Sequence, residues 1–465
     1  MVRLEPICPC ASLSAISDPR PAGAVTRRGA RGSGSAPHAG PVRRHSVPTL
    51  EIPQHTAPHT SGAVSHLYHR AVVPSYLLWM FLRSTLHRGY VLCSSLYFVT
   101  VAHLSASQIV LLGVGMSVTL LFTDIPAGAW ADAFGRRRSL VLGQVLLAVS
   151  MLVTGLVRTF PLLLVTQVAW GLGWAFLNGI DTAWVTDELE EGVRIAPVLT
   201  AGSRRDLMGG ATGMVALGLL GWAVSLSTAL VVSGVGMFVL AAFVALRFVE
   251  HRLVPGRLHR WHATALVRRG AGVTRRDHEV LIVITATFLV NAALMVGWLY
   301  PKRLVALGFP NNPILWYSAL LVVTSFIGFL AMHYVERHIE GTGVARRFYA
   351  LACLVGVLGL VVLATVPTAL LAATGVLLAR GITDSVTRPI SVIWVNRRVT
   401  SDVRATVHSF LSQAESVGEI AGGLVLAVVA RVAGMPVTFA TAAALVAVTG
   451  MLVLRSRADR EGSTP

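Results

Sequence analysis

Apolar runs close to the twenty or so residues that cross a bilayer recur in this chain from about residue 75 to residue 455, separated by short turns that carry arginine. Few folds accept such a pattern. Of the 465 residues, 54% are hydrophobic and only 13% are charged, too apolar for a single globular surface to cover. The chain therefore needs lipid as its solvent. The spacing allows about twelve spans, drawn at 75–100, 107–130, 138–157, 161–186, 197–224, 228–248, 280–300, 314–334, 348–366, 369–395, 405–432 and 436–455.

A formal charge of +17 would point to nucleic acid in a soluble protein. Here the basic residues sit between the apolar runs, where they orient helices, so no nucleic-acid partner is expected. The connector 249–279 carries Arg252, Arg257, Arg260, Arg268, Arg269, Arg275 and Arg276, and the positive-inside rule places it in the cytoplasm. Alternate loops with Arg136 to Arg138, Arg346, Arg347, Arg397 and Arg398 fall on the same side, which puts both termini there and the protein in the plasma membrane. Residues 1–72, rich in Pro, Ser, Gly, His and Arg, are expected to be a disordered basic tail. The division is then a six-span half over 73–248, the linker, a second half over 280–456 and a short tail over 457–465.

An internal repeat supports two halves. A shift of 210 residues lays Gly171, Trp184 and Val193-Arg194 over Gly381, Trp394 and Val403-Arg404, and Arg136-Arg137 over Arg346-Arg347. Duplicated halves suit alternating access, in which one half moves against the other around a site near the midplane.

Between spans two and three the chain reads Gly128-Ala-Trp-Ala-Asp132-Ala-Phe-Gly135-Arg136-Arg137-Arg138. This resembles the signature loop of the major facilitator superfamily, Gly-x-x-x-Asp-x-x-Gly-Arg-Arg. Asp124-Ile-Pro126, and the stretch from Gly179 through Asp181 and Trp184 to Asp187-Glu188, resemble its drug-exporter branch, the drug:proton antiporters. The resemblance implies an all-α membrane fold of twelve helices in two pseudo-symmetric six-helix halves. It also implies that the loop latches the halves, with Asp132 at the start of span eleven and Arg136 against Asp187 or Glu188. Gly128 and Gly135 would permit close approach or a tight turn, and Arg137 completes the basic cluster. The second copy has Thr342 and Ala345 where Asp132 and Gly135 would map, so the latch is expected on one side only.

An ionisable side chain at the centre of a membrane helix costs about 3 kcal/mol or more, so each is a functional candidate. On span four, Gln167, Trp170, Trp174, Asn178, Asp181 and Trp184 recur every three or four residues, one aromatic and polar face of a continuous helix. In the family's architecture spans one, four, seven and ten line the cavity. Indoles suit a bulky apolar or cationic molecule. Asp181 is the leading proton-coupling candidate, with Arg88 of span one as its expected partner; the indoles and the arginine act on its proton affinity in opposite senses. Asp124 is the second, although a place two residues before Pro126 also suits a kink. Span ten sets Arg380, Asp384 and Arg388 four apart, which predicts an Asp384 salt bridge, and Glu415 and Glu419 share a face of span eleven as a further coupling pair.

These features together predict a proton-coupled exporter of a hydrophobic drug-like molecule or metabolite, with small-molecule substrate, protons and lipid as its partners. An organic-anion carrier or importer, suggested by Arg83 and Arg88, and a non-transporting scaffold or sensor are the alternatives. There is no His-Glu-x-x-His, no Gly-x-Ser-x-Gly and no phosphate-binding Gly-Lys-Ser/Thr, so neither an enzyme nor an ATP-driven pump is expected. Nothing calls for a metal, a cofactor or an oligomer.

Overall fold

The computed structural model describes residues 62–189, 195–248, 250, 277–309, 312–339 and 341–455. Most of the basic tail, nearly all of the connector 249–279 and residues 456–465 lie outside the described residues.

The chain is a succession of helices: α1 (Gly62–Thr100), α2 (Ala106–Phe134), α3 (Arg136–Leu156), α4 (Phe160–Ala175), α5 (Ile180–Glu188), α6 (Ile195–Ala223) and α7 (Leu226–Arg247). After the connector come α8 (His278–Leu294), a 3-10 turn Met295–Leu299, α9 (Tyr300–Ala306), α10 (Pro313–His338), α11 (Gly341–Thr365) and α12 (Ala369–Val376). A π-helical segment Leu377–Asp384 then leads into α13 (Ser385–Arg398), followed by α14 (Ser401–Val432) and α15 (Gly434–Arg455). α1 begins at Gly62, inside the stretch expected to be tail.

Among the described residues, nine helical stretches are long and apolar enough to cross a membrane. The long helices left out are α1, α6 and α14. Each is long enough to cross, and they carry Arg83 and Arg88, Arg204 to Asp206, and Glu415 and Glu419 along their length. With them the architecture is that of twelve spans. Three spans are interrupted: α4 and α5 form span four, α8 and α9 span seven, and α12 and α13 span ten.

Small residues set the helix packing, because lipid supplies no hydrophobic drive between helices and close backbone contact must hold them. Gly209 and Gly213, four apart on α6, lie against the Phe81 and Thr85 carbonyls of α1 so closely that a Cβ at either position would overlap them. Gly418 and Gly422 on α14 do the same against Phe288 and Ala292 of α8. The two halves thus repeat one packing device on spans one and five and on spans seven and eleven.

Contacts that join the halves lie toward the end bearing the 101–105 loop. Lys302 Nζ donates to the Leu104 carbonyl at 2.6 Å, Ser117 Oγ donates to Glu419 Oε2 at 2.6 Å, and Gly113 leaves room for the indole of Trp298. Arg88, Asp384 and Arg388 sit well inside long spans yet remain exposed. Charged groups at such depth need water around them, and they mark a wet interior between the halves.

Candidate transport site

In the first half the site is built on the break in span four. α4 stops at Ala175 and Gly179 adopts φ +77°, the left-handed conformation that glycine enters without a Cβ clash. α5 then starts at Ile180, which places Asp181 in its first turn, where the Thr182 amide donates to Asp181 Oδ1 at 2.7 Å. A carboxylate at a helix N-terminus is held by unpaired amides and by the helix dipole. Arg83 of α1 brings its Nη2 to 4.0 Å from Asp181 Oδ2 and 3.4 Å from Asp206 Oδ1 on α6. The Arg83 and Asp181 side chains are only 12% and 11% exposed. Ser84 ties the same two helices by donating to the Asp206 carbonyl at 2.7 Å.

An aromatic wall adjoins these charges. The rings of His87, Trp170 and Trp174 lie with centroids 4.8–5.4 Å apart and nearly parallel. The Arg83 guanidinium stands over Trp79 at 4.8 Å and Trp174 at 5.8 Å. Gln167 and Trp170 are buried beside them, and Gln167 Nε2, Trp170 Nε1 and His87 Nε2 have no hydrogen-bond partner.

Several expected placements are corrected. The partner of Asp181 is Arg83, not Arg88, which is exposed. The single face expected along span four does not exist past Trp174, because the break at Phe176–Gly179 resets the helical phase. Asn178 is exposed in that break. Trp184 leaves the cavity wall and stacks on Phe248 of the first half, with centroids 4.0 Å apart.

The second half differs in the same way. The π-helical Leu377–Asp384 segment carries more than four residues per turn, so Arg380 and Asp384, four apart within it, no longer stack on one face. Arg388 meets Glu415 of α14 at 3.0 Å, with the arginine side chain 66% exposed. Glu419, one turn on, is held by Ser117 of the other half. Trp394 is buried and donates to Glu279 Oε2 at 2.9 Å, and Arg398 lies 3.8 Å from the same carboxylate. In the sequence Glu279 reads as an ordinary acidic residue at a helix start. Asp124 is half-buried in α2, its Oδ1 without a hydrogen-bond partner.

At the opposite end from the joining contacts, Gly135 turns the chain between α2 and α3 at φ +106°. Arg136 pairs with Asp187 and donates to the Ala183 carbonyl, its amide donates to Glu250 Oε1 at 2.6 Å, and Arg137 donates to the Ala245 carbonyl. The loop is thereby fixed to α5 and to the end of α7. Glu250 is another residue that the sequence does not advertise. Asp132 is exposed, and Gly128 faces open space with nothing near its Cβ position, so it allows no close helix approach here.

Two helical halves joined toward one end, with paired charges and indoles between them, are the architecture of a multi-pass membrane transporter. The model of the Major Facilitator Superfamily matches residues 62–423, and the chain belongs to that superfamily. Among solved structures it is similar to the nucleoside transporter NupG, with a TM-score of 0.68 at 14% identity over 83% of this chain and 100% of that one. It is also similar to a bacterial homolog of the human lysosomal transporter Spinster in an inward-facing, unoccupied conformation, with a TM-score of 0.61 at 15% identity over 84% and 99%. These likenesses show the fold. Multidrug resistance protein 2 of Bacillus subtilis is 31% identical over 90 residues, 19% of this chain and 22% of that protein. Multidrug resistance protein 1 of the same organism is 29% identical over 85 residues, 18% and 22%. The chain thus spans about a fifth of the length of these curated relatives.

Proposed function

We propose that this transporter exports a hydrophobic drug-like molecule or metabolite in exchange for protons, working as a monomer by alternating access. The observation that carries this reading is the buried Asp181, set by a broken helix beside Arg83 and the Trp170–Trp174 wall. A carboxylate that shares an arginine can take up a proton when the arginine moves, and an apolar substrate lodged against the indoles is a means of moving it. Asp124, Glu415 and Glu419 are the other acids placed to carry protons. The Arg136–Asp187 pair and the Gly135 turn serve as the conformational latch, Asp132 engaging the start of α14 in the opposite conformation. By the positive-inside rule the Gly135 end faces the cytoplasm, with both termini, and the interior opens there. The short matches to multidrug resistance proteins support export over import.

The test is growth of an efflux-deficient bacterium in a panel of toxic compounds. Expression of the chain is expected to raise the tolerated concentration of several apolar aromatic compounds, and a protonophore is expected to cancel the protection against them. Protection that persists after the proton gradient is collapsed would remove proton coupling from the account, and sensitisation in place of protection would reverse its direction.

A further inference from the structure

Arg83 is poorly held for a buried arginine. A structural arginine pairs with carboxylates through both arms of its fork at about 2.7–2.9 Å. Here one nitrogen, Nη2, makes both carboxylate contacts, at 3.4 Å to Asp206 and 4.0 Å to Asp181. The same nitrogen lies 3.7 Å from the Met80 sulfur, and the buried Nε has no hydrogen-bond partner. What surrounds the guanidinium is a frame for a flat cation: the Trp79 and Trp174 rings near its carbon, and two acids on two different helices at its edge. Two carboxylates exceed what one arginine neutralises, and aromatic faces favour a charge spread over a plane.

We propose that this frame is a binding site for a planar, delocalised organic cation of the amidinium or guanidinium type, and that Arg83 is its resident occupant, exchanging with the substrate's charged group. The proposal rests on the transport reading for its use but not for its chemistry. A substrate of this class brings its own flat charge to the Trp79 and Trp174 faces, and Asp181 and Asp206 pass from the arginine to it with no net change in buried charge. Arg83 then swings out into the wet interior, where Arg88 already stands exposed. A neutral aromatic molecule gains the indole contact but leaves the arginine in place, so it binds without exchange. A compact ammonium gains the carboxylates but little from the ring faces, because its charge is strongly hydrated.

The experiment is calorimetric binding of benzamidinium, and of neutral benzamide as control, to the purified full chain in lipid nanodiscs. Wild type is expected to bind benzamidinium in preference to benzamide. Arg83→Ala removes the internal competitor, and its benzamidinium affinity is expected to rise by about tenfold or more, as when a binding-competent state ceases to be a minor one. Benzamide affinity stays level. Adding Asp206→Asn to Arg83→Ala should cancel the gain. Arg83→Gln, which keeps most of the side-chain volume, is measured in parallel and is expected to show the same gain, so that a folding defect of the alanine variant does not decide the result. Equal affinity of Arg83→Gln and wild type for benzamidinium, or an equal gain for benzamide, would overturn the proposal. Since binding is read without transport, a gain in a chain that protects no cell would leave the site standing and remove the export reading, and the converse result would remove only the site.

Discussion

Asp181→Asn is expected to abolish uphill transport, down to the background of membranes lacking the protein, while leaving the fold intact. The physical basis is the sharing of Arg83 by two acids. Truncating one partner of a buried ion pair costs about 3–5 kcal/mol when the other is left uncompensated. Here Arg83 retains Asp206 at 3.4 Å, so its charge is not orphaned, and asparagine preserves the acceptor that the Thr182 amide meets at the start of α5. What asparagine cannot do is bind and release a proton. Expression, monodispersity and thermal unfolding in detergent should match wild type, whereas active efflux of a protected compound from loaded cells should vanish. Downhill exchange of substrate across the membrane should survive, since it needs the cavity and not the proton. Wild-type efflux in Asp181→Asn with an unchanged pH profile would transfer the coupling role to Asp124 or to the Glu415–Glu419 pair.

The second large effect is structural. Gly213→Leu is expected to leave little or no folded protein, because the α6 backbone at Gly213 rests directly on the Thr85 carbonyl of α1. Overpacking a well-packed core usually costs about 1–3 kcal/mol by pushing side chains aside. Here the obstacle is main chain, and α1 cannot retreat without parting Ser84 from the Asp206 carbonyl and Arg83 from Asp206. Gly422→Leu, against Ala292 of α8, should fail in the same way. Leucine at Gly128, which has nothing near its Cβ position, is the control and should fold. Fluorescence-detected size-exclusion of the three variants separates them; a monodisperse Gly213→Leu peak at wild-type yield would contradict the close packing of α1 and α6.

The fold was legible because lipid imposes one length on every span and the arginines mark the turns, a signal that survives uncertain helix ends. The family was legible in one loop, whose glycine at 135 answers a positive φ that few other residues adopt. Side-chain neighbours inside the membrane were harder. Periodicity assumes an unbroken helix, and the helices of the candidate site break. The Gly179 turn moves Trp184 off the face it would share with Trp170, and Arg388 reaches across to Glu415 of α14, a partner that periodicity along span ten cannot name. Arg83 and Arg88 stand five apart on one helix, and only the packing of α1 against α6 decides which of them meets the acids. Glu279 and Glu250 carried no signal at all, because each acts through a partner distant in sequence: Trp394 and the Arg136 amide.

The most direct test of the central claim is transport by purified protein in liposomes under an imposed pH gradient, with a compound against which the chain protects cells. If protons are exchanged for substrate, acidifying the interior should drive accumulation of the compound inside against its own gradient, reversing the imposed pH difference should drive it out, and Asp181→Asn should only equilibrate it. Equal accumulation by wild-type and Asp181→Asn liposomes, or equilibration by both whatever the pH difference, would contradict the account.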